Sequence, residues 1–121
     1  MYFGTDQLSS RILSHLASKS RKERLLQDIV VVSPPERLGG RGQKTKCSSP
    51  VKLMAKDLNL QVVDAPQTAP RASLEDWKEI IELAKDFDLG VVFSFGKFTS
   101  FLQCTNFIDL TNHQAISYLK L

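Results

Sequence analysis

Long apolar runs are missing from this sequence. Nothing approaches the ~18–20 consecutive apolar residues of a bilayer-spanning helix, so no membrane span is expected. The opening Met1-Tyr2-Phe3-Gly4 shows no basic leader, and no signal peptide is expected. Cysteine is scarce. Cys47 and Cys104 cannot build a disulfide framework, which makes a reduced compartment the default. Neither has a histidine close in sequence, which counts against a thiol nucleophile. His15 and His113 share no metal-ligand spacing with each other or with the cysteines, so no metal is expected. His15 reads as a surface or boundary residue. The G-x-S-x-G elbow, the G-x-G-x-x-G dinucleotide turn and the G-x-x-x-x-G-K-[ST] phosphate loop are all absent. What is present is ordinary globular material: 121 residues, 42% apolar and 24% charged. That is enough for one domain with a single core, and it excludes wholesale disorder.

The net charge of +3 hides an asymmetry. Residues 1–56 hold eleven Lys/Arg against four Asp/Glu, a balance of +7. Residues 57–121 hold five against nine, a balance of −4. A basic half beside an acidic half fits either a polyanion-facing edge or uneven surface charge without a partner.

No internal repeat is visible; short β-like runs alternate with amphipathic helices. Met1–Phe3 reads as a strand and Gly4-Thr5-Asp6 as a turn. Leu8, Ile12, Leu13 and Leu16 recur at helical spacing, which predicts a helix over Gln7–Ala17. The charged Lys19–Arg24 is expected to be solvated. Ile29-Val30-Val31-Val32 reads as a strand buried on both faces. Ser33–Ser49, with its prolines, glycines and cations, is expected to lack regular structure. A loop of that length is usually functional or disordered. Ser49-Pro50 opens the next helix as N-cap and first residue. Val51, Met54, Ala55 and Leu58 form its core stripe, and Asn59 suits its end. Leu60–Val63 reads as a strand, and Ser73 with Asp76 as the start of a third helix. Trp77 belongs to that helix's core face. Leu89–Phe93 is a further buried strand.

The order β-α-β-α-β-α-β predicts a three-layer α/β fold with a parallel sheet and right-handed crossovers. Ligands of such sheets gather beyond the C-terminal strand ends. Gly4-Thr5-Asp6, Ser33–Ser49 and Ser94–Thr99 all fall there and are expected to share one face. Gly4-Thr5-Asp6 reads either as a close backbone approach to a ligand or as a plain turn capped by Asp6. In Gly39-Gly40-Arg41-Gly42-Gln43-Lys44-Thr45-Lys46 the glycines free the backbone, and Arg and Lys can meet phosphate oxygens. With no interleaved aromatic, a base-stacking platform is not indicated. A solvated basic loop is the alternative.

Three segments carry a family resemblance. Tyr2-Phe3-Gly4-Thr5-Asp6-Gln7 resembles the F-G-T opening of the formyltransferase fold. Gly40-Arg41-Gly42-Gln43-Lys44 followed by Cys47-Ser48-Ser49-Pro50-Val51-Lys52 resembles the G-R-G-x-K…S-P-V-K segment of methionyl-tRNA formyltransferases. Asp88-Leu89-Gly90-Val91-Val92-Phe93-Ser94-Phe95-Gly96-Lys97 is similar to the family's D-x-x-V-V-x-[SA]-[FY]-G strand. The matches keep the family's order across residues 2–98, and Lys46-Cys47-Ser48-Ser49 looks most like the animal mitochondrial branch.

The resemblance implies formyl transfer from 10-formyltetrahydrofolate to the amino group of initiator Met-tRNA, in mitochondria. It implies tRNA contact by Arg37, Arg41, Lys44 and Lys46. It places the folate against Phe95, Gly96, Lys97, Phe98 and Thr99, largely through backbone groups, and it puts the substrate near Gly4, Thr5 and Asp6. It also implies a Rossmann-like sheet of the formyltransferase fold, here incomplete. The family's catalytic Asn-x-His motif is not found. Asn112-His113 has the wrong spacing, because adjacent strand residues point to opposite faces. The expectation is therefore a partial formyltransferase domain over residues 1–98 and a divergent tail over 99–121, inactive alone and prone to association. The alternative is a non-catalytic RNA-binding module that uses only the basic loop 37–46.

Overall fold

The computed structural model describes residues 1–24, 28–42, 45–66, 75–93, 95 and 107–109. The main sheet contains β1 (Tyr2–Gly4), β2 (Val30–Ser33), β5 (Gln61–Asp64), β6 (Gly90–Phe93) and β7 (Phe107–Asp109). Its order is β5-β2-β1-β6-β7, and every pairing is parallel. Helices α1 (Gln7–Glu23), α2 (Pro50–Asp57) and α3 (Lys78–Ala84) cover it. A separate antiparallel pair, β3 (Arg37–Gly39) and β4 (Thr45–Cys47), lies between β2 and α2.

The strands alternate between two apolar clusters, as the period of two requires. Met1, Phe3, Val30, Val32 and Val92 pack with Trp77, Ile80 and Ala84. Tyr2 and Val31 pack on the other face with Leu13 of α1 and with Val51 and Ala55 of α2. The chain steps one way through β1, β2 and β5 and then back across to β6. Crossovers of constant hand must change face when they change direction. That puts α3 opposite α1 and α2, and the three layers follow. Burying Val31, Val32 or Val51 completely contributes about 1.5–3 kcal/mol each.

Several boundaries differ from the sequence expectation. Helix α1 continues to Glu23, past Ala17, before Arg24 turns left-handed at φ 50°. Its charged end stays in solvent, and Arg21 and Lys22 suit the negative pole of the helix. Leu8 proves exposed despite its helical spacing. Leu89 is exposed too, and the strand starts at Gly90. Ser33–Ser49 is not without regular structure: it holds the β3–β4 ribbon. Gly40 and Gly42, at φ 81° and 93°, let the backbone reverse where a side chain would be strained. Helix α3 starts at Lys78, with no side-chain cap at Trp77. Ser73 lies outside the described residues. Trp77 is buried, as expected. Within 99–121, Phe107–Asp109 adds a strand beside β6.

Candidate functional site

All five strands of the main sheet are parallel, so their C-terminal ends form one edge. Gly4 ends β1, Ser33 ends β2 and Asp64 ends β5 there, with Phe95 two residues past β6. Gly4-Thr5-Asp6 and Ser33–Ser49, two of the three segments expected to share a face, therefore start from that edge; of Ser94–Thr99 the described residue is Phe95. β1 is also where the strand order reverses, the usual position of a ligand crevice.

The β1 turn is tightly built. A side chain at Gly4 would place its Cβ 1.9 Å from Ser9 Oγ. The Tyr2 hydroxyl donates to the Ser9 carbonyl at 2.8 Å. With its one proton used there, it accepts from Ser9 Oγ at 2.9 Å. Burial pushes the Tyr2 phenol above its ordinary pKa. Asp6 caps α1 by accepting the Ser9 N–H at 2.7 Å. Gly4 thus makes room for Ser9 and Asp6 closes the helix, which accounts for both residues without a ligand. Thr5 differs: its Oγ1 is buried and has no hydrogen-bond partner among the described residues. The Phe95 ring meets Phe3 edge-on at 5.7 Å inside the core, so its side chain is committed to packing. Gly96, Lys97, Phe98 and Thr99 lie outside the described residues.

The ribbon carries the basic candidates. Arg37, Arg41 and Lys46 are exposed, and none is ion-paired among the described residues. Lys44 lies outside them. Arg37 stands opposite Cys47, and Lys46 opposite Leu38. The pleat therefore sends Arg37 and Lys46 to opposite faces of the ribbon.

Below the ribbon is a polar junction with no local sequence signal. Ser48 Oγ donates to Glu36 Oε1 at 2.8 Å, and Lys56 Nζ donates to the same oxygen at 3.3 Å. These two partners, Ser48 foremost, hold the Glu36 carboxyl below its ordinary pKa. The Ser33 and Ser49 hydroxyls are bonded to each other, and Ser49 caps α2 by accepting the Lys52 N–H. Lys52, nearly buried, reaches the half-exposed Asp64 at 2.6 Å. The partners are 12 to 20 residues apart, so no periodicity could have paired them.

A cavity of about 1010 Å³ opens at the opposite, N-terminal strand ends, beside Met1, Arg21, Arg24, Asp28 and Phe87. None of the candidate tRNA, folate or turn residues among the described ones lines it. Burial there lowers the Met1 amine to a pKa of about 6, and the amine donates to the Leu89 carbonyl. Among the described residues, no three His, Cys, Asp or Glu side chains group to hold a metal, and no helix is long and apolar enough to cross a membrane.

Compared with models of known protein families the chain matches none, and compared with curated proteins it also finds no match. The formyltransferase resemblance therefore stands on the three quoted segments alone.

Proposed function

We propose that this chain is a methionyl-tRNA formyltransferase family member that meets the acceptor arm of initiator Met-tRNA through the β3–β4 ribbon. The observation that carries the reading is the set of exposed cations Arg37, Arg41 and Lys46, unpaired among the described residues, beside the C-terminal edge of a parallel α/β sheet. The order of the three resembling segments supports it, as does the buried Thr5 hydroxyl at that edge, unpartnered among the described residues, which a bound ligand would satisfy. The folate would supply the formyl group, near Phe95 as the resemblance implies. Mitochondrial location belongs to the same reading.

Formyl transfer needs donors for the developing oxyanion and a base for the amine proton. The chain holds no Asn-x-His to provide them. That favours a second reading, an RNA-binding module without catalysis. The test is binding of initiator tRNA by the full chain across a salt series, with folate-dependent formylation assayed in parallel. Salt-sensitive binding lost on substituting the ribbon cations supports the ribbon reading. No tRNA binding at low salt sinks both readings. Formyl transfer above a no-enzyme control removes the second.

A further inference from the structure

We propose that Glu36 is a positioning residue for the ribbon, its carboxylate joining both ribbon legs to α2 and so setting where Arg37, Arg41 and Lys46 present their charge. What the ribbon meets rests on the RNA reading above; the junction itself does not.

A two-stranded ribbon of three-residue strands is marginal alone. This one has little apolar anchorage, since Leu38 is 60% exposed and all three residues of β4 are exposed. Its placement must come from its base. Glu36 directly precedes β3, and Ser48 directly follows β4. Their 2.8 Å hydrogen bond closes the stem. Lys56 of α2 reaches the same carboxylate oxygen, which ties the closed stem to the helix. One oxygen thus joins the incoming leg, the outgoing leg and the layer beneath. Ser33–Ser49 and Lys52–Asp64 continue the connection to the ends of β2 and β5.

A carboxylate beside a cationic ribbon opposes polyanion binding by simple charge. Positioning and plain charge therefore predict opposite signs. In the full chain, Glu36→Ala should speed amide exchange in β3 and β4 about tenfold and leave β2 and β5 unchanged. It should also weaken initiator tRNA binding about three- to tenfold, although it removes a negative charge. Glu36→Gln, which can still accept from Ser48, should fall between. Ser48→Ala opens the stem without changing charge and should reproduce the faster exchange. The proposal is overturned if Glu36→Ala and Glu36→Gln both tighten tRNA binding with ribbon exchange unchanged. It is also overturned if Ser48→Ala leaves the ribbon amides as slow as before. If the ribbon amides respond while the unaltered chain binds no tRNA, the junction stands and the RNA reading fails.

Discussion

Gly4 illustrates how much one residue can hold. A methyl group there would collide with a buried Ser9 hydroxyl that is tied to Tyr2. Gly4→Ala should destabilise the chain by about 1–3 kcal/mol, as overpacking does. Adding Ser9→Ala should recover part of the loss, and urea unfolding of the single and double variants measures the coupling. Tyr2→Phe should cost about 1 kcal/mol by leaving the Ser9 groups short of a partner. The pH dependence follows from burial. The Tyr2 phenol is raised above its ordinary 10.0, so the folded chain keeps a proton that the unfolded chain releases. That contribution is complete below about pH 10 and falls as pH rises toward the folded pKa. The gap between the urea midpoints of the parent and Tyr2→Phe chains should therefore narrow as pH rises above about 10. A constant gap would show that the phenol does not titrate with folding.

At the scale of elements, the two ends of the basic segment contrast. The start of α2 is legible in the sequence, because Ser49 and Pro50 are local choices made for a helix N-terminus and the structure uses both. The ribbon is not legible. Arg-Leu-Gly and Thr-Lys-Cys show no apolar alternation, and their pairing is stabilised from the Glu36 junction at the base. The ribbon's cations lead to a measurable expectation. Arg41→Ala should weaken tRNA binding and reduce the slope of log K against log salt by ~1 if its guanidinium meets one phosphate. An unchanged slope would place the contact elsewhere and leave Arg41 a solvated charge.

For the whole molecule, the parallel sheet brings together segments about ninety residues apart, with Met1 accepting from the amide of Val91. β7 lies beyond β6 at the sheet's edge and derives from a stretch with no clean apolar period. Residue-resolved hydrogen exchange should therefore find amides of Phe107–Asp109 protected together with those of β6. Free exchange there, with β6 still slow, would show that this edge does not form in solution. The full chain should transfer no formyl group to Met-tRNA above a no-enzyme control, since the donors that stabilise the oxyanion supply several kcal/mol in such reactions.

Local sequence patterns alone predict a three-layer α/β arrangement with a parallel sheet. Val30-Val31-Val32 reads as a strand buried on two faces, and the spacing of Val51, Met54, Ala55 and Leu58 reads as one face of a helix; the structure has both. These patterns are local and periodic, so burial reads them directly. Which polar residues meet was decided by the tertiary structure. Glu36 finds Ser48 and Lys56, and Lys52 finds Asp64, because parallel strands gather their C-terminal ends on one edge and α2 starts there. Hydrogen bonds and ion pairs act over a few ångströms and leave no period in the chain, so only the assembled sheet could bring these groups within reach.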